Sequence, residues 1–491
     1  MRFVLLLIVL VASSGVARSQ TDAPSQPQET PQPQATVQPP VHLQEKPQPQ
    51  HETAVAAEFR LEGDRFHESC VHFNAGSCAQ LLFTDHPLHI AAGSLAPQNG
   101  FAGGPALVLH YDASKYLIKW NFDAVGSANG SWRAGAYMKI IPTAMKGVVV
   151  NRSGKKHKGV SLFSAPYFTL FTQAISLNKI GFYGLGPSST ETARTFFGMT
   201  ETIAGATANV PVPKLGPLNL SLIGEVNGRF VTIRGNHGEN SPSIETEFTP
   251  ATAPGLNTQP AFIQFGEGLR MKPQLFNGFI SLDYLANFQQ FVASGDSSSS
   301  FRRFNLDLSH EIPIYHGVTS RSDTKAFGPD ECGSDLKSQP CPSYKSRNRY
   351  GSVNLRFLLT ESMTSGGNTV PFYFQPTLGG SDVNGSASLP SFQDYRFRAP
   401  NVVLYHASIE HSIFSLPMGV ILGADAGKAV LTRGDIGIDH LRHSYSAGVT
   451  LRAGGFPMVV LMFAYGGHEG NHFIANMNTS LLGGSARPSL F

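Results

Sequence analysis

Long apolar runs are almost absent from these 491 residues. A membrane helix needs about 20 consecutive apolar residues, and the one stretch that approaches this is Phe3 to Ala12. A polytopic helical membrane protein is excluded. Charge is scarce too. Asp, Glu, Lys and Arg make up 14% of the chain, against about 25% in soluble domains, which argues against a cytosolic enzyme. No basic excess exists: the net charge is +3, and nucleic-acid binding would need a basic face. Trp occurs twice and Cys four times. What is abundant is Gly (50), Pro (33) and Phe (34). Helix breakers and aromatics without apolar runs fit an exported all-β protein, and an outer-membrane barrel above all.

The N-terminus supports export. Arg2 precedes the apolar stretch, and Ala17 and Ser19 supply small residues before Gln20. Residues 1–19 read as a cleaved signal peptide. The alternative, an uncleaved anchor, has the short apolar stretch and the cleavage site against it. The four cysteines form two local pairs, Cys70 with Cys78 and Cys332 with Cys341. Neither pair has zinc spacing. In an exported chain two local disulfides are the natural reading, with three connectivities possible and four free thiols the other option.

Residues 20–57 are rich in Pro and Gln and cannot bury a core, so they form a disordered linker. Residues 58–100 are a periplasmic lead-in or a plug segment. From 101 to 491 short runs alternate between apolar and polar residues. Val353, Leu355, Phe357 and Leu359, for example, alternate with Ser352, Asn354 and Arg356. Such runs are half-buried strands. Sixteen are counted, the first at 101–112, the eleventh at 369–377, the twelfth at 401–414 and the last at 472–484. An even number suits a closed transmembrane antiparallel β-barrel with both termini on one side. No linker splits 101–491 into the two or three domains that a soluble sandwich would need. The first and last strands must then meet in a seam. Gly103-Gly104-Pro105 and Gly483-Gly484 leave that seam short of side chains. The long polar connection 316–349, holding Cys332 and Cys341, is expected outside the cell, and Tyr116, Trp120, Phe122 and Tyr465 in interface girdles.

The C-terminal third carries a recognisable series. It runs Thr377-Leu378-Gly379-Gly380-Ser381, then Leu389 to Arg398 (LPSFQDYRFR), Ile409-Glu410-His411, Asp425-Ala426-Gly427-Lys428, Ser444 to Val449 and Glu469-Gly470. Phe182 to Ser189 and Gly93 to Gly104 add upstream matches. In order and spacing this resembles the bacterial surface antigen family, the superfamily of the outer-membrane barrel assembly factor and the two-partner secretion translocators. The resemblance spans about 90–490. It implies a sixteen-stranded barrel in the bacterial outer membrane, with the N-terminal tail in the periplasm and a long loop between strands 11 and 12 folded into the lumen. It implies a role in outer-membrane protein assembly, insertion or translocation through a lateral seam. Partners would be outer-membrane lipid, unfolded outer-membrane proteins and separate periplasmic proteins. The family's loop tip carries Arg-Gly-aromatic, whose Arg pairs with an acid on the wall. Here the tip reads Leu389-Pro390-Ser391-Phe392, so Phe392 remains and the Arg and Gly do not. Gly379, Gly380, Phe392, Tyr395, Arg396 and Arg398 are the candidate loop residues. Asp425 and Glu410 are the candidate docking acids. The family's periplasmic polypeptide-transport-associated domains have no counterpart here. That departure motivates the alternative, a passive channel or structural surface protein.

Patterns for other chemistry are weak. His468-Glu469-Gly470-Asn471-His472 matches H-E-x-x-H, but its glycine-rich setting favours a turn over the helix a zinc site needs. Gly423 to Lys428 is half a phosphate loop, without the Ser/Thr after the Lys. His406, Ser408, Glu410 and Ser412 share one face of a strand and read as a wet lumen lining. No enzyme activity, cofactor or metal is expected.

Overall fold

The computed structural model describes residues 87–112, 115–142, 148–150, 156–158, 166–212, 218–236, 242–276, 280–323, 343–382, 387–413, 418–453, 456–466 and 469–477, with a few isolated positions before 87. Cys70, Cys78, Cys332 and Cys341 all lie outside the described residues, and so do the two disulfides expected between them. His468 and Gly483-Gly484 lie outside as well. The chain is all-β. Its strands are β1 (Leu88–Ser94), β2 (Phe101–Asp112), β3 (Tyr116–Ser127), β4 (Trp132–Pro142), β5 (Tyr167–Phe182), β6 (Thr195–Pro211), β7 (Leu220–Gly235) and β8 (Phe262–Met271). They continue as β9 (Ile280–Ala293), β10 (Phe301–Asp323), β11 (Ser343–Met363), β12 (Asn401–Ser412), β13 (Met418–Val430), β14 (Arg442–Ala453), β15 (Phe456–Tyr465) and β16 (Asn471–Met477). Each pairs antiparallel with the next, giving one sixteen-stranded meander. Pro313 is accommodated at a bulge in the β10–β11 ladder, where a missing N–H is tolerated.

The sheet is rolled. Laid flat, sixteen strands about 4.8 Å apart would be roughly 70 Å wide. Yet the Tyr395 hydroxyl donates to the Pro97 carbonyl in the β1–β2 turn at 3.1 Å. The next residue, Arg396, binds Glu469 in the β15–β16 turn. Only a barrel brings those two turns within reach of one dipeptide. The inner face is the one that meets this loop, because Ser391 N–H donates to Ser444 Oγ of β14. It is polar, with ion pairs Arg133–Asp123 (3.6 Å), Arg229–Glu201 (3.0 Å) and Arg356–Asp307 (2.6 Å). The outer face is apolar and exposed, with Trp120, Phe122, Leu170, Phe230, Phe265, Tyr445, Phe463 and Phe473. A soluble sheet has the reverse arrangement. An apolar exterior around a polar interior is the wall of a membrane barrel.

Two strand assignments differ from the sequence reading. β1 was not expected. Its inward positions include the small Ala91 and Gly93, so it shows little polarity contrast. The segment 369–377 is not a wall strand. Val370, Phe372, Tyr373 and Phe374 are buried on every side instead of alternately, Pro371 and Pro376 lack donors, and Phe372–Phe374 forms a 3-10 turn. The two errors cancel in the total. They do not cancel in between. With β1 included, ten strands precede the 324–342 connection, so it leaves the barrel on the edge where the chain enters. The loop 364–400 leaves from the opposite edge. A periplasmic tail and an extracellular 316–349 are therefore incompatible. The seam moves as well: Gly103 and Gly104 pair with Ala92 and Ala91 of β1. A side chain on Gly104 would run into the Ala124 carbonyl of β3, so that glycine permits close backbone approach. The two edge strands are β1 and β16, seven residues each.

Candidate functional site

The loop 364–400 connects β11 to β12 and turns back into the barrel. Its first half is an aromatic wedge. Phe372 packs edge-on against Phe182 of β5 (5.2 Å) and Phe197 of β6 (5.1 Å). Phe374 meets Phe262 of β8 at 4.9 Å, and Phe291 and Phe301 stack beside it. Each such pair adds about 0.5–1.5 kcal/mol beyond its buried area. The wedge leaves backbone carbonyls inside. Arg303 of β10 donates to Phe374 O, and Arg398 donates to Phe372 O at 2.9 Å and Gln375 O at 3.4 Å. No carboxylate among the described residues pairs with Arg398. Burial pulls its pKa down to about 10, and the faces of Phe182 and Phe197 lie against its guanidinium.

The second half is a tight double turn. Thr377–Leu378 pairs with Phe397–Arg398. Gly379 and Gly380 then take φ of 110° and 58°. A Cβ on Gly379 would lie 2.6 Å from the Gln393 carbonyl, and one on Gly380 2.9 Å from the Asp394 backbone. Phe392 meets Phe397 edge-on at 5.1 Å and joins Leu378, Leu389, Val402 and Leu404 in a small apolar cluster. Tyr395 has φ of 62°, a strained value for an aromatic residue. Its N–H bonds Gly379 O and its hydroxyl bonds Pro97 O, which together hold it. Asp394 accepts the Ser381 N–H at 3.0 Å, but burial dominates and raises its carboxyl pKa. Burial also pushes the neighbouring Tyr183 hydroxyl up to about 12, against the opposing pull of Arg194 and Arg396.

Arg396 is the centre of the site. Its Nε donates to Glu469 Oε2 at 2.6 Å and its Nη2 to Oε1 at 2.8 Å. Nη1 and Nη2 also reach Ser189 Oγ (2.9 Å) and Ser189 O (2.8 Å) in the β5–β6 turn. The guanidinium lies over the rings of Tyr183 and Phe397. A two-pronged Arg–carboxylate pair of this kind fixes geometry as well as charge.

The loop residues expected from the sequence thus come together, but the docking acids do not serve them. Asp425 binds His406 at 2.8 Å, and Glu410 accepts from Thr450 Oγ at 2.7 Å. The acid that meets the loop is Glu469, in the turn where H-E-x-x-H was noted. Both its oxygens are taken by Arg396, so it is no general base for a zinc site. The sequence signal was present, since Glu469-Gly470 belonged to the series of resemblances, and Gly470 turns the chain with φ of 101°. Tyr183, Ser189 and Pro97 lie in the upstream segments of the resemblance without having been singled out, and Arg303 was not foreseen. They are ordinary turn or wall residues until the loop is folded in.

No family model matches this sequence, and no curated protein matches it. Among solved structures the chain is similar to the crystal structure of BamA from Haemophilus ducreyi lacking POTRA domains 1–3. Identity is 11% and the TM-score 0.44, over 78% of this chain and 68% of that one.

Proposed function

We propose that this chain is an outer-membrane barrel that inserts or passes polypeptide through the seam between β1 and β16, and that loop 364–400 holds the seam shut. One observation carries the reading. The consecutive residues Tyr395 and Arg396 grip the turns on either side of the seam, Pro97 beyond β1 and Glu469 before β16. Among the described residues no backbone ladder joins β1 to β16, so none is there to oppose their parting. The resemblance of the loop series to the surface antigen family agrees with this. The tail and the 324–342 connection then face the periplasm, where separate partner proteins would deliver unfolded outer-membrane proteins.

The polar, ion-paired lining favours a second reading, a passive channel closed by the same loop. Reconstitution separates the two. The protein goes into liposomes of native-like lipid, with and without periplasmic extract, and folding of an unrelated reporter barrel is timed. Acceleration supports insertion. No acceleration in either condition, from a barrel shown folded by its heat-dependent gel shift, leaves the channel.

A further inference from the structure

Nearer the other mouth, the lumen wall carries a hydrogen-bonded row that neither reading uses. His406 of β12 lies opposite Asp425 of β13, and its Nδ1 is 2.8 Å from Asp425 Oδ1. Its Nε2 is 3.1 Å from Ser408 Oγ, two residues on along the same strand face. With the Nδ1 proton directed at the carboxylate, Nε2 is left to accept the serine proton. This is the order of groups that activates a serine: acid on Nδ1, hydroxyl on Nε2. The sequence could not supply it, because Asp425 comes from the neighbouring strand.

The surroundings suit a reacting group. The residue opposite Ser408 on β13 is Gly423. The place of its missing side chain is taken by Ser446 of β14, whose Oγ would lie 2.5 Å from an added Cβ, with His406 Cε1 at 3.9 Å. On β11 the residue opposite Ser408 is Asn354, and the one opposite His406 is Arg356. Among the described residues Asn354 donates one long bond, 3.4 Å to Ser352 Oγ, so its carboxamide is a candidate donor to a developing oxyanion. Asp425 is buried, and His406 is partly open to the lumen. Among the described residues the charged groups around His406 are Arg356, its partner Asp307, Asp425 and Glu410, with Asp382 acting on Arg356 from the loop.

We infer that Asp425, His406 and Ser408 form a nucleophilic serine site for carboxylic esters that reach the lumen through water. Ser408 Oγ bonds to the ester carbonyl carbon while its proton passes to His406 Nε2. The carbon–oxygen bond to the alcohol breaks, and the alcohol leaves with that proton. Water then repeats the sequence on the acyl-serine, releasing the acid and restoring the hydroxyl. Ser408 and His406 are the catalytic residues, and Asp425 is a positioning residue.

The test uses the full chain folded in detergent, its fold checked by the heat-dependent gel shift. The probe is a fluorophosphonate, with p-nitrophenyl butyrate as the turnover substrate. Labelling should map to Ser408 by peptide mass and vanish in Ser408→Ala. It should fall at least about 100-fold in His406→Ala, the scale of a lost general base. Asp425→Asn should slow it and shift its pH profile, which a merely structural aspartate would not do. Ser176→Ala, on β5 well away around the wall, should label like the parent. An unlabelled parent, or labelling that survives in folded Ser408→Ala, overturns the inference.

Discussion

Glu469→Gln is the most direct test of the clamp. The substitution keeps the side chain's shape and one acceptor oxygen but removes the charge facing Arg396. The Arg396 side chain is 2% exposed and that of Glu469 18%. The guanidinium would remain buried with only the Ser189 oxygens and two aromatic faces around it. Breaking a buried pair by removing one partner costs about 3–5 kcal/mol. The partial exposure of Glu469 and the surviving Ser189 bonds put this case at the low end, about 3 kcal/mol. At about 1.4 kcal/mol per factor of ten, that raises the undocked population of the loop by roughly 100-fold. Native-state trypsin digestion reads it, because cleavage after Arg396 or Arg398 requires an undocked loop. Glu361→Gln is the control. Glu361 pairs with Arg433 at 3.0 Å, but Arg433 is 59% exposed, so the change should stay within about 1 kcal/mol. The double variant Arg396→Met with Glu469→Gln should be less damaging than the sum of its parts, since no buried charge is then stranded. A Glu469→Gln loop as protected as the parent's, or release equal to that of Glu361→Gln, refutes the clamp.

Gly379→Ala should loosen the loop by about 1–3 kcal/mol, because its φ of 110° and the nearby Gln393 carbonyl leave no place for a Cβ; trypsin protection again reports it. Asp394→Asn should remove one contribution to the pH dependence of docking in the acid range. The wild-type carboxyl has a raised pKa, so its favourable protonated form holds the loop below the ordinary aspartate range. That contribution is lost as pH climbs through the raised value. The Asn oxygen still accepts the Ser381 N–H, and a protection profile as pH-dependent as the parent's would count against the assignment. Tyr395→Phe removes one bond, to Pro97 O, worth about 1 kcal/mol. It should speed amide exchange in β1 while leaving Arg396 docked.

The barrel was legible in the sequence wherever a strand has two unlike faces. In β12, Tyr405, Ala407, Ile409 and His411 point outward against Ser408, Glu410 and Ser412 inward, and period-two alternation exposes this directly. It failed at β1, whose inward face has one polar residue, His89, and then only the small Ala91 and Gly93. It failed again at 369–377, where aromatic β-formers were recruited to fill the lumen. Missing β1 had a cost beyond one strand, since it put the connection 324–342 on the edge opposite the chain's entry, where the structure has both on one edge. The site was half legible. Arg396 and the two glycines stood out because the loop's own chemistry demands them. Its partner Glu469 lies 73 residues away and could be chosen over Asp425 or Glu410 only once the barrel brought the β15–β16 turn over the lumen.

The loop is anchored in two ways at two places, and the difference bears on how a seam could open. Its aromatic wedge sits against β5, β6, β8, β9 and β10, far around the wall from the seam. Packing and carbonyl bonds to Arg303 and Arg398 hold it there. The Tyr395–Arg396 end sits at the seam and rests on one hydroxyl bond, one ion pair and the Ser189 contacts. Apolar contacts weaken gradually with small displacements, whereas a two-pronged ion pair is lost within an ångström or two. A segment arriving at the seam with its own carboxylate or backbone carbonyls can therefore displace the second anchor and leave the first in place. If the chain inserts polypeptide as proposed, the seam would open sideways into the bilayer while the lumen stayed plugged, and insertion would not require a leak of small solutes.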